Sequence, residues 1–127
     1  MASHGETVYS SYEVTEDLSA KKYYMVKLGA TDFRVLLNDT AGGPVVGILA
    51  EEIDGSTNAK HASIATGGRF KLKIAGTIAD NGLITDDGNG AGVAATGSNK
   101  QAPVRACQDG VTGDVIEVQF TYEKTDA

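Results

Sequence analysis

Two segments alternate apolar and polar residues without a break. A period of two is the signature of a β-strand with one face packed and the other open. In residues 69–74, Phe70, Leu72 and Ile74 fall on one face and Arg69, Lys71 and Lys73 on the other. In residues 116–123, Ile116, Val118, Phe120 and Tyr122 share a face, opposite Glu117, Gln119, Thr121 and Glu123. No stretch carries the i, i+3, i+4, i+7 apolar spacing of an amphipathic helix free of glycine or β-branched runs. Further strands are expected at residues 8–14, 23–28, 33–37, 45–50, 62–65, 92–96 and 104–107. Turn signals separate them, among them Ala41-Gly42-Gly43-Pro44, Asp54-Gly55, Gly67-Gly68, Asp80-Asn81-Gly82, Asp87-Gly88-Asn89-Gly90 and Asp109-Gly110. Many short strands joined by glycine turns predict an all-β fold, a compact sandwich or barrel.

Composition sharpens this. The chain has 16 glycines in 127 residues, roughly twice the usual ~7%. Gly55, Gly82, Gly88 and Gly110 each follow Asp or Asn, where a hairpin turn would demand positive φ. Residues 88–97 hold more glycine than turns require, and predict a mobile tip or a close backbone approach to a partner. Residues 77–99 read as long loops with one or two short strands anchored by Ile78, Leu83, Ile84 and Val93, and residues 51–61 as a second loop. Pro44-Val45 and Pro103-Val104 each place proline at an expected strand start.

Charge and cysteine usage exclude several classes. With 17 acidic against 11 basic residues the net charge is −6, which repels a polyanion. The best basic patch, Arg69, Lys71 and Lys73, has no flanking basic run, so no nucleic-acid partner is expected. A single cysteine precludes an intrachain disulfide or a cysteine-based zinc cluster. The apolar runs are far shorter than a membrane span, so no membrane partner is expected. Met1 to Glu6 carries neither basic residues nor an apolar run, and no secretory leader is expected.

Candidate chemistry is sparse. His4 lies in the expected N-terminal arm, nothing near His61 supplies a nucleophile elbow such as Gly-x-Ser-x-Gly, and Cys107, on a strand, reads as a buried thiol. Asp86-Asp87-Gly88-Asn89-Gly90 misses the EF-hand spacing, because its third and twelfth positions are Gly88 and Gly97. It reads as a tight turn, and it also misses the dinucleotide fingerprint. Glu51, Glu52 and Asp54 read as a solvated loop. Asn38-Asp39-Thr40 fits a glycosylation acceptor but has no secretory context. No catalytic, cofactor or metal site is expected, and the chain is not expected to be an enzyme. Arg69, Lys71 and Lys73 on one strand and Glu117, Gln119 and Glu123 on another would pair across a sheet or a subunit contact.

The charge sign breaks at residue 20. Residues 1–20 hold Glu6, Glu13, Glu16 and Asp17 and no basic residue, whereas Lys21, Lys22 and Lys27 follow. This predicts an N-terminal arm over 1–20 and a single β domain over 21–127. In Thr7-Val8-Tyr9-Ser10-Ser11-Tyr12-Glu13-Val14 the side chains alternate, with Val8, Ser10, Tyr12 and Val14 on one face. Such a segment can add to another protein's sheet or serve as the first strand of its own body.

Several features recur in order: Pro44-Val45-Val46-Gly47-Ile48-Leu49-Ala50, Ala62-Ser63-Ile64-Ala65-Thr66-Gly67-Gly68, Phe70-Lys71-Leu72-Lys73-Ile74-Ala75-Gly76, a glycine-rich stretch over 87–97, Ala102-Pro103-Val104-Arg105-Ala106 and Gly113-Asp114-Val115-Ile116-Glu117-Val118. In this layout residues 22–121 resemble the small capsid cement, or head decoration, proteins of tailed bacteriophages. The resemblance implies a compact, β-tulip-like body without a catalytic centre. It implies binding to the major capsid protein on the outer face of an expanded head, commonly as a homotrimer, with residues 1–20 as the capsid-binding arm. The alternative is a carbohydrate- or receptor-binding β module of a phage fibre or surface protein, which would expose aromatic rings in a cleft.

Overall fold

The structure, a computed structural model, describes residues 6–29, 33–96 and 100–125. His4, Gly97 and the first five residues of the expected arm lie outside the described residues. The described chain is all β. Five strands close a barrel in the order β1 (Val8–Val14), β3 (Arg34–Leu37), β2 (Met25–Leu28), β4 (Gly47–Leu49) and β5 (Lys60–Gly67). β1 runs parallel to β3, and every other barrel pair is antiparallel. The other five strands form an antiparallel sheet ordered β6 (Arg69–Lys73), β10 (Val115–Lys124), β9 (Gln101–Ala106), β7 (Leu83–Asp86) and β8 (Gly92–Ala94).

The two halves bury two cores. Inside the barrel lie Val14, Leu18, Val26, Val35, Leu49, Ile53, Ala62 and Ile64. Between barrel and sheet lie Met25, Ile48 and Ala65 from the barrel's outer wall and Leu72, Ile74, Ile84, Val104, Ile116, Val118 and Phe120 from the sheet. Neighbours in one strand therefore point into different cores: Met25 and Val26, Ile48 and Leu49, Ala65 and Ile64. A strand buried on both faces reads as a continuous apolar run rather than an alternation.

Several expectations change. Residues 6–20 belong to the body: β1 pairs with β5 from Val8 to Val14 and with β3 at Glu13 and Val14. Beyond β1, the Leu18 amide donates to the Ile53 carbonyl at 2.8 Å and the Gly55 amide to the Glu16 carbonyl at 2.8 Å. The alternative in which this segment is the first strand of the body is the one observed, since Val14 and Leu18 are core residues.

The turn glycines also have another cause. Of Gly55, Gly82, Gly88 and Gly110, only Gly88 has positive φ. A Cβ on Gly55 would lie 2.0 Å from the Val14 carbonyl oxygen, and one on Gly110 would lie 2.7 Å from Ile116 Cγ2. Those two sites are glycine because another segment runs against them. The 88–92 stretch is likewise no mobile tip: Gly90, Ala91 and Gly92 are buried, and the Met25 amide donates to the Gly90 carbonyl at 2.7 Å. The close backbone approach expected there is to the chain's own barrel.

Pro103 does not start a strand but sits inside the central strand β9. Cys107 donates its amide to Glu117, so odd residues of β9 face odd residues of β10 in hydrogen-bonded pairs. Pro103 has no N–H to offer, and the register shifts between Phe120 and Glu123, opposite it. Tyr122 lies in this bulge with φ 48°.

Candidate functional site

The expected charge strands are sheet neighbours. β6 and β10 pair so that Lys71 faces Glu117 and Arg69 faces Gln119. Among the described residues no ion pair closes between them. Glu123 lies beyond the end of β6 and binds a residue not singled out in the sequence, Arg105 of β9, through Nε–Oε2 at 2.7 Å and a second bond at 3.0 Å. That bidentate bond holds the Glu123 carboxyl below its ordinary range. In β1, Glu13 binds Arg34 of the neighbouring β3 at 2.7 Å. Tyr12 and Val14 face the barrel core, whereas Val8 and Tyr9 are exposed.

Tyr9 leads to a gathering of aromatic and cationic groups. Its ring meets Phe70 edge to face with centroids 6.0 Å apart, and Tyr23 meets the same Phe70 at 5.7 Å. With Thr7, Arg69, Lys71 and Glu117 these rings line an open cleft of about 370 Å³. Lys22 lies over the Tyr23 ring, 5.0 Å from its centroid. Tyr23 takes a φ of 75°. Its carbonyl accepts the Lys73 amide at 2.9 Å, and Thr7 Oγ1 donates to the Arg69 carbonyl at 2.5 Å. The cleft thus runs along the outer edge of β6, closed by Thr7 at one end and Tyr23 at the other. The sequence shows the aromatic residues but not their meeting, because Tyr9, Tyr23 and Phe70 come from three distant segments. A second groove, apolar and about 310 Å³, lies between Lys27, Leu28 and residues 44–46.

The remaining candidates have structural roles or none. His61 is exposed on β5, opposite Glu13. Cys107 is exposed rather than buried, because it follows the last residue of β9, and local desolvation raises its thiol pKa. Glu51 accepts the Ser63 amide at 2.7 Å, and Asp54 accepts the Ser56 hydroxyl at 2.6 Å and the Ser56 amide at 2.9 Å, which together lower the Asp54 pKa. Asn38 is fully buried. Among the described residues no three histidine, cysteine or acidic side chains converge as metal ligands, and no helix is long and apolar enough to cross a membrane.

Asp86 does form a turn, with Oδ2 accepting the Gly88 amide at 2.6 Å. Its carboxyl is 1% exposed and Oδ1 has no partner among the described residues. Burial pushes its pKa up to about 6 against the pull of the Gly88 amide, and the nearby charges of Asp87 and Asp39 add to the rise.

No protein-family model matches the chain, and no curated protein matches it. Among solved structures its fold is similar to the N base of head fiber gp8.5 of bacteriophage phi29, with a TM-score of 0.73 and 9% sequence identity. The match covers 96% of this chain and 100% of that one. At that identity the two chains share a fold.

Proposed function

We propose that this chain is a non-enzymatic structural protein of a tailed-phage virion that binds the outer face of the head and cements the lattice of its major capsid protein. The observation that carries this reading is the fold it shares with a phage head-fiber base over the full length of that structure. A net charge of −6 suits a protein outside the shell, away from packaged DNA. Assembly as a homotrimer would make modest contacts cooperative through effective concentration. Leu28 and Phe33, 59% and 74% exposed, are apolar surface that such an assembly or the shell would cover.

A second reading, a receptor- or carbohydrate-binding module of a fibre, is favoured by the nature of the fold neighbour, a head-fiber base. Deleting the gene separates the two. A cement protein leaves heads that release DNA at lower temperature and adsorb normally. A fibre module leaves heads of unchanged heat resistance that adsorb poorly. Light scattering on the purified chain gives the oligomer, and a strict monomer contradicts the trimer.

A further inference from the structure

The edge of β6 leaves one residue's backbone unpaired inside the aromatic cleft. Ile74 donates to Asp114 at 3.0 Å and Phe120 to Gly68 at 2.9 Å, whereas Cys107 takes the Glu117 carbonyl at 2.9 Å. Glu117 thus directs its backbone to β9, and its partner Lys71 cannot bond to β10. Residues 69, 71 and 73 therefore present their N–H and C=O groups to the outer edge. The Arg69 carbonyl is taken by Thr7 Oγ1 and the Lys73 amide by Tyr23. Between them, the N–H and C=O of Lys71 have no partner among the described residues. The gap from residue 69 to 73 is about 13 Å at ~3.3 Å per residue, room for a strand of about three residues.

The geometry points to the β6 edge as an acceptor for a short extended segment of a partner protein, with an acidic residue flanked by apolar ones. A residue exchanging both hydrogen bonds with Lys71 places its side chain on the Lys71 face. There Arg69 and Lys71 outnumber Glu117, on a molecule that is acidic overall. The residues on either side turn to the opposite face, toward Phe70 and the Tyr9 and Tyr23 rings that touch it. Apolar–acidic–apolar is thus the complementary pattern, with main-chain bonds supplying affinity and the alternating side chains supplying fit. A sugar would need an open ring face, but Lys22 lies over the Tyr23 ring and Phe70 is half-buried under the two tyrosines. The site goes beyond the proposed function and does not depend on it, since any partner with this segment can occupy it.

The test is amide-resolved NMR titration with the peptide acetyl-Val-Glu-Val-amide, its Val-Lys-Val counterpart and an oligogalacturonate. Expected are shifts at residues 69–73, Tyr9 and Tyr23 with the glutamate peptide, at least tenfold tighter than with the lysine peptide. Lys71→Pro, which removes the free N–H at an edge position that tolerates proline, should weaken that binding at least tenfold. Should that variant fold poorly, Arg69→Glu/Lys71→Glu keeps the backbone and should reverse the preference toward the lysine peptide. Glutamate-peptide shifts that are absent or lie elsewhere, equal binding by the folded variants, or tighter binding of the oligogalacturonate would each overturn the inference.

Discussion

A carboxyl group as buried as Asp86 destabilises the fold when it ionises, unless hydrogen bonds compensate, and here only Oδ2 is bonded while Oδ1 has no partner. With a folded pKa of about 6 against 3.8, the carboxyl is protonated in both states below about pH 4. Between pH 4 and 6 the unfolded chain loses the proton first, so this group's contribution falls as pH rises, by about 3 kcal/mol in all. Asp86→Asn, which mimics the neutral acid, should be more stable than the parent at pH 7.5 by about 1–2 kcal/mol and should lose that advantage at pH 4. Urea unfolding at the two pH values measures this, and an equal difference at both would contradict it. Tyr122 is a second single-residue device. Its hydroxyl donates to the Thr66 carbonyl of β5, and its ring stacks on Phe120 at 5.5 Å, tying the sheet to the barrel. Tyr122→Phe keeps the stack and loses the bond, and should cost about 1 kcal/mol by the same assay.

At the scale of elements, legibility followed burial. β6 and β10 are legible in the sequence because one face of each meets solvent and alternates. β2 and β4 were harder, because Met25 and Val26, or Ile48 and Leu49, fill different cores and erase the alternation. β7 (Leu83–Asp86) falls among the one or two short strands expected within residues 77–99, but its bounds are not legible, because only Leu83 and Ile84 signal a strand and it ends on a buried aspartate. The bulge in β10 has its cause in another strand, at Pro103, so no reading of residues 116–123 alone reveals it. The cleft was illegible for the same reason: long-range pairing, not local pattern, brings Thr7, Tyr23 and Lys71 to one edge. Two predictions belong here. Gly90→Ala adds a Cβ 2.8 Å from Leu37 Cδ1 at a φ of +86°, and should cost about 2 kcal/mol or more by loosening the loop from β2. Removing residues 1–20 takes β1 out of a closed barrel and Val14 and Leu18 out of its core. The product should lack the cooperative unfolding transition of the full chain in calorimetry, so this truncation reports on folding rather than on a detachable arm.

At the scale of the molecule, a closed barrel with its own core shares a second core with a five-stranded sheet, and the pair presents one outer surface. That surface is acidic overall, carries exposed apolar residues at Leu28 and Phe33, and includes an aromatic and basic cleft at the edge of β6. These features agree with the head-side role proposed from the fold. The measurement closest to that claim is co-sedimentation of the purified chain with expanded heads, stripped of external proteins, from the phage whose genome encodes it. The account predicts saturable binding at a fixed number of copies per head, with the heads then holding their DNA to higher temperature. Protein that stays in the supernatant at saturating concentration, with unchanged heat release of DNA, would contradict it.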